Sequence, residues 1–143
     1  MDAGAIADIK RVKLGLTVRN LFEPSFRTER AGESLELTRQ VRAGVAVRAT
    51  DSLLLSMDAD VTRTPDLAGD TRVLAVGAEQ RFWQQRAAVR GGFRLNTVGD
   101  TCAVATLGAS IAVRNGLFAD GYVALGLDDT ARDAFGIGLR VAF

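Results

Sequence analysis

Hydrophobic and polar residues alternate along most of the chain with a period of two, not the 3.6-residue period of a helix. Between residues 12 and 19, aliphatic side chains at every second position oppose Lys13, Gly15, Thr17 and Arg19. Successive side chains of an extended strand point to opposite faces, so this pattern predicts strands with one apolar and one polar face. Eight such runs occur, at residues 12–19, 35–47, 53–61, 74–82, 87–95, 103–113, 117–127 and 135–143.

The predicted strands are longer than the five or six residues typical of soluble sheets, and they follow one another without an intervening helix. Consecutive long strands with short links predict an all-β antiparallel meander that forms a transmembrane-type barrel, or the C-terminal part of a larger one. Residues 1–143 are predicted to form one such domain. Residues 1–10 fit either a short turn or the remnant of a preceding strand.

The links between the predicted strands alternate in length. Long links span residues 20–34, 64–70, 96–101 and 128–133, whereas short links span 50–52, 83–85 and 115–116. Outer-membrane barrels show this asymmetry, with short periplasmic turns and longer external loops. Asn115-Gly116 predicts a type I′ hairpin turn, in which both central residues need positive φ.

The C-terminus falls at the same end as the short turns. The last strand carries Gly138, Val141 and a terminal Phe143, and this resembles the C-terminal β-signal of outer-membrane barrels. We expect that strand to engage the barrel-assembly machinery. Four aromatic residues are predicted at this end, as in an aromatic girdle: Phe82, Trp83, Phe118 and Phe143.

The polar face is rich in charge. Arginine or lysine facing lipid at mid-strand costs about 2–4 kcal/mol, whereas charges in a small lumen can pair across strands. Glu79 and Arg90 are predicted to lie nearly opposite each other and to form a cross-strand ion pair. We assign a structural lumen charge network to Arg42, Asp58, Asp60, Glu79, Arg81, Arg90, Arg94, Asp120 and Arg140.

Composition narrows the function classes. The 143 residues include no histidine and one cysteine, Cys102, which excludes Ser-His-Asp and Cys-His catalysis, His-based metal sites and an internal disulfide within this chain. The net charge of +1 gives no indication of a nucleic-acid partner. The spacing of Asp58 and Asp60 fits a catalytic carboxylate pair. Acidic and basic residues nearly balance on this face, however, and this favours a role in neutralising the arginines over a catalytic one. We expect no enzymatic activity, cofactor or metal.

Three segments resemble a known family. One strand of the FadL-like superfamily has the pattern LGLSxxNL, and the segment Leu14–Leu21 is similar to it. The resemblance is in particular to the conjugal-transfer TraF-like and the PorV-like outer-membrane proteins. Val76-Gly77-Ala78-Glu79 and Val89-Arg90-Gly91-Gly92-Phe93 resemble the paired strands of the same proteins. The resemblance implies the C-terminal portion of a larger barrel.

These observations predict an outer-membrane β-barrel protein with a structural or transport-related role, in contact with the lipid bilayer and with secretion or conjugation components. No export signal is recognisable at residues 1–6, so we expect it upstream or lost. The alternative is a soluble small-ligand-binding β-barrel with its apolar face inward. The two interpretations differ in which face of the strands meets the surroundings.

Overall fold

The computed structural model describes residues 1–22, 25–27, 34–36, 38–66, 69–99, 102–128 and 133–141. Its regular elements are all β-strands, as the period of two predicts. They are β1 Ala3–Ile9, β2 Val12–Arg19, β3 Ser25–Arg27, β4 Ser34–Glu36, β5 Gln40–Arg48, β6 Leu53–Asp60, β7 Thr64–Asp66, β8 Gly69–Thr71, β9 Val73–Phe82, β10 Ala87–Asn96, β11 Ala103–Arg114, β12 Leu117–Gly126 and β13 Ala134–Val141.

Nine of these strands form one antiparallel sheet in the order β1-β2-β5-β6-β9-β10-β11-β12-β13. Neighbours in the sheet are also neighbours in the chain, apart from two small hairpins, β3-β4 and β7-β8, which lie within the first two long links. The sheet is therefore a meander, as predicted. Its order ends at β1 and β13, which do not pair with each other in the described part of the chain.

The sheet has nine strands, against about eight predicted. Residues 3–9 form β1, which pairs with β2 from Ala3 opposite Val18 to Ile9 opposite Val12. This segment matches the proposed strand remnant rather than a turn. The run predicted at 35–47 is wrong as a single strand, since residues 38 and 39 lie between β4 and β5. Continuing β5 through Arg39 would place a charge on the apolar face.

The alternation of link lengths is confirmed. Short turns join β1 to β2, β5 to β6, β9 to β10 and β11 to β12, and they lie along one end of the sheet, where β13 also finishes. Backbone hydrogen bonds connect these turns in order, from Arg48 N to Arg11 O, from Arg81 N to Ser52 O and from Ala112 N to Arg86 O. The four long links fall at the opposite end.

The predicted type I′ turn at Asn115-Gly116 is wrong. Gly116 has φ of 78°, but Asn115 is not among the described residues with positive φ. The pairing of β11 with β12 slips by one residue between Ala112 and Arg114, so the extra residue of a bulge shapes this hairpin. Positive φ occurs instead at three consecutive residues of the β9–β10 turn, Trp83, Gln84 and Gln85, with values of 49°, 54° and 71°. Arg86 N donates to Trp83 O across this turn, at 3.1 Å.

The two faces of the sheet differ in exposure in an unusual way. Large aliphatic residues on the apolar face remain open: Leu107 is 58% exposed, Ile111 51% and Ile137 93%. The only buried residues among those described are Ala88 and Ser110, which lie opposite each other on the polar face. The soluble alternative requires the apolar side chains to pack in an enclosed interior, and the described strands do not form one.

Candidate functional site

Glu79 is the centre of a charged cluster on the polar face. It lies directly opposite Arg90 in the pairing of β9 with β10. Arg90 Nε donates to Glu79 Oε2 at 2.8 Å, and Arg81 Nε donates to Oε1 at 2.6 Å. The predicted cross-strand pair of Glu79 and Arg90 is therefore present, and Arg81 makes it a triad.

The cluster continues across β11 to the edge of the sheet. Arg90 Nη2 donates to the Oγ of buried Ser110 at 2.9 Å and lies 3.7 Å from Asp120 Oδ1. Arg140 Nε, on β13, lies 3.5 Å from Asp120 Oδ2. Asp120 Oδ1 is buried and accepts no hydrogen bond, so the nearby Arg90 guanidinium is its main electrostatic partner. We call Arg81, Glu79, Arg90, Ser110, Asp120 and Arg140 the charged row.

A second pair lies closer to the long-link end. Arg42 Nε donates to Asp60 Oδ1 at 2.6 Å, and the two residues are opposite each other in the pairing of β5 with β6. The other carboxylate oxygen of Asp60 accepts from the backbone N of Val73 at 2.9 Å. This pair therefore ties three consecutive strands of the meander together.

The carboxylates of these groups are more enclosed than the arginines. The side chain of Glu79 is 19% exposed and that of Asp60 17%, against 44% for Arg90. Each acid is thus held near the backbone while the guanidinium extends above it. At such partial exposure, ion pairs are worth less than fully buried ones, because water still screens them.

Two of the predicted network residues do not join an ion pair within 4 Å among the described residues. Asp58 lies opposite Gly44 on β5, and Arg94 lies opposite Ala75 on β9. Gly138 and Val141, predicted as parts of a C-terminal signal, both lie on edge strand β13, whereas Phe143 lies outside the described residues. Ser110 was not predicted as a site residue, because nothing in a lone serine of β11 indicates that it lies beneath Arg90.

The predicted aromatic girdle is reduced in the structure. Phe82 and Trp83 are 44% and 72% exposed at the short-turn end. The prediction that Phe118 belongs to the girdle is wrong, because Phe118 shares the polar face with Arg140. The guanidinium carbon of Arg140 lies 4.4 Å from the centre of the Phe118 ring. That contact is a cation–π interaction that closes the charged row at the sheet edge.

A cavity of about 630 Å³ lies over the charged row. Its lining runs from Leu54 on β6, through Glu79 and Arg90, to Gly136 and Gly138 on β13. Strands β6 and β13 are five positions apart in the sheet, so the polar face is strongly curved around this space. The charged row under this cavity pairs three arginines with two carboxylates.

Metal-binding clusters and membrane-spanning helices are both absent from the described residues. No group of three or more Cys, Asp or Glu side chains there is arranged to hold a metal ion. No helix within the same residues combines the length and the apolar character that crossing a membrane needs.

Comparison with known proteins gives one match. The family described as the F plasmid transfer operon TraF protein matches residues 1–60 of this chain. These residues include β1, β2, β5 and β6, and therefore the segment Leu14–Leu21 that resembles TraF-like proteins. No curated protein and no solved structure matches the chain.

Proposed function

We propose that this chain is part of an outer-membrane β-barrel whose apolar face meets lipid and whose polar face lines the lumen. The observation that carries the proposal is the inverted burial of the sheet. Leu107, Ile111 and Ile137 are more than half exposed, while the carboxylates of Glu79 and Asp60 are the enclosed groups.

A lipid environment suits the exposed apolar face of this sheet. Soluble monomers rarely expose a contiguous apolar patch above a few hundred Å², and here one whole face of a nine-stranded sheet is apolar and open. Acyl chains would cover that face without any change of side-chain conformation. The ion pairs of the polar face would keep arginines away from lipid, where each costs about 2–4 kcal/mol at mid-membrane.

The edges of the sheet indicate how the barrel closes. A membrane leaves no lipid-exposed backbone N–H or C=O group unpaired, so β1 and β13 both need partners. In a nine-stranded meander the first and last strands run in the same direction, and direct closure would pair β1 with β13 in parallel. Bacterial outer-membrane barrels have even strand numbers and antiparallel pairs. We infer that an odd number of further strands joins the two edges, as in the C-terminal part of a larger barrel.

The proposed orientation places the short turns on the periplasmic side and the long links outside. Edge strand β13, which carries Gly138 and Val141, is then the strand that we expect the barrel-assembly machinery to engage, with Phe143 as the last residue of the signal in sequence. The TraF match over residues 1–60 supports a role in conjugation, and a secretion apparatus is a related setting. The role we propose is structural or transport-related rather than catalytic.

The proposal is tested by refolding the chain from urea into detergent micelles and, in parallel, into detergent-free buffer. We expect a β-sheet circular dichroism spectrum in detergent, which covers the apolar face, and precipitation without detergent. A detergent-free soluble monomer with a folded β-sheet spectrum would contradict the proposal and favour the soluble ligand-binding barrel.

A further inference from the structure

We propose that the short-turn end of the sheet carries a binding site for an anionic phospholipid. Two arginines, Arg86 and Arg114, hold the phosphate, and an apolar groove beside Trp83 holds an acyl chain. The inference rests on the proposed membrane location and adds the class of lipid that one part of the barrel surface selects.

The two ends of the sheet differ in charge. The short turns and the strand residues that flank them carry five basic residues and one acidic residue, namely Lys10, Arg11, Arg48, Arg86 and Arg114 against Asp51. The four long links have the opposite balance, because acidic residues outnumber basic ones in their sequence. We call the five basic residues the basic rim.

Most of the basic rim is available to a ligand. Arg11 is paired with Asp51 at 3.4 Å. Arg86 and Arg114 are exposed and form no ion pair with any residue that the structure describes. They are also neighbours, because the backbone O of Arg86 accepts from the N of Ala112, two residues before Arg114, at 2.6 Å. Exposed arginines on neighbouring strands, without an ion-pair partner among the described residues, are suited to receive a phosphodiester.

An apolar groove lies beside the turn that contains Arg86. It has a volume of about 930 Å³, and its lining is almost wholly apolar. Phe82, Trp83 and Ala87 close its upper end, and Leu107, Ala109 and Val123 continue it down the apolar face. Trp83 and Ala87 lie within three residues of Arg86 in the chain, so the groove opens at the basic rim.

The combination matches one ligand chemistry. A groove with apolar walls accepts an acyl chain, and two arginines at the basic rim accept a negatively charged headgroup. Trp83, 72% exposed between the two, has the position that tryptophan favours at a membrane interface. A zwitterionic lipid would fill the same groove but would leave the arginines with a smaller net attraction.

The test uses the chain's single tryptophan, Trp83, as a reporter. The protein is reconstituted in phosphatidylcholine vesicles that contain increasing fractions of either dibrominated phosphatidylglycerol or dibrominated phosphatidylcholine. Bromine quenches a nearby indole, so the two curves give the relative affinity of the site for the two lipids. At low salt we expect phosphatidylglycerol to be favoured by tenfold or more, since each arginine contributes about fivefold.

The matched variants change the same charge at opposite ends of the sheet. The double substitution Arg86→Gln with Arg114→Gln should bring the two quenching curves together. Arg39→Gln with Arg63→Gln, in the long links, should leave the preference unchanged. Raising the salt to about 0.5 M should weaken the preference of the unaltered protein, because screening shortens the range of the attraction.

The outcomes separate the two proposals. Quenching by both lipids with equal strength would overturn the anionic-lipid site and leave the membrane location standing. A phosphatidylglycerol preference that survives Arg86→Gln with Arg114→Gln would also overturn the site. Absence of quenching by either lipid would overturn both proposals, since Trp83 would then not contact a bilayer.

Discussion

Glu79 and Arg90 face each other across β9 and β10, and the carboxylate of Glu79 also holds Arg81 of its own strand. One carboxylate therefore pairs with two arginines on the polar face, and this triad keeps a net charge of +1. Arg90 in turn reaches Ser110 and Asp120, so the pair connects the middle of the sheet to its edge. This relationship fixes which face carries the enclosed polar groups, and the function proposed for the chain depends on that face.

Removing the charge of Glu79 should weaken the fold. Glu79→Gln keeps the size of the side chain but leaves Arg81 and Arg90 without their shared anion. We expect a loss of about 1–2 kcal/mol, less than for a fully buried pair, because both arginines are nearly half exposed. Urea unfolding of the detergent-refolded protein, monitored by circular dichroism, measures the loss.

Arg94→Gln is the matched control for Glu79→Gln. Arg94 shares the polar face of β10 and forms no ion pair among the described residues. Its substitution should change stability by less than about 0.5 kcal/mol. Equal effects of the two substitutions would show that the pairing of Glu79 contributes nothing specific.

An arginine should be tolerated on one face of β9 and rejected on the other. Val76 is 45% exposed and lies opposite Met57 and Phe93 on the apolar face. Val76→Arg should cost about 2–4 kcal/mol in vesicles, the penalty for arginine facing lipid. Ala75→Arg, one residue earlier, lies between Asp58 and Arg94 on the polar face, so attraction to one offsets repulsion by the other and the change should be near neutral. Comparable urea midpoints for the two variants would contradict the assignment of faces.

Gly136 makes room for the ring of Tyr122. The two residues are opposite each other in β13 and β12, and a Cβ at position 136 would lie 2.9 Å from Tyr122 Cζ. Gly136→Ala should therefore displace the ring and cost about 1–2 kcal/mol. Gly138→Ala, on the same face of the same strand, meets no atom within 4 Å and should be neutral or slightly stabilising. Urea midpoints in detergent compare the two, and a reversed order would contradict this explanation.

The turn between β9 and β10 has a conformation that its residues do not favour. Gln84 and Gln85 both have positive φ, which is uncommon outside Gly, Asn and Asp. Replacing them by Asn and Gly, which adopt positive φ more readily, should raise stability by about 1 kcal/mol. Unfolding midpoints in detergent measure the change, and an unchanged or lowered midpoint would count against the turn geometry.

Much of the sheet could be predicted because alternation is a local property. Leu14, Leu16 and Val18 define the apolar face of β2 without knowledge of any partner strand. The segment Ala3–Ile9 gives a weaker signal, since alanine and glycine supply little contrast between the faces. Its strand became evident only from pairing with β2.

The charged row was predictable only in part. Glu79 and Arg90 are equally distant from a short turn, so counting residues placed them opposite each other. The contacts of Arg90 with Ser110 and Asp120 depend on the register of two further strand pairs, which the sequence does not specify. Gln80 illustrates the same limit, because it interrupts the apolar pattern of β9 and its amide donates to Ser52 Oγ, 2.9 Å away.

The central claim is that the apolar face of the sheet meets acyl chains. It is tested most directly by placing a spin label at each residue from Val104 to Ala109 in turn, with Cys102 replaced by serine, and reconstituting the protein in vesicles. Collisions with oxygen, which concentrates in lipid, should be frequent at Ala105, Leu107 and Ala109. They should be rare at the other three labelled positions, Val104, Thr106 and Gly108. Equal oxygen accessibility along β11, or maxima at Val104, Thr106 and Gly108, would contradict the claim.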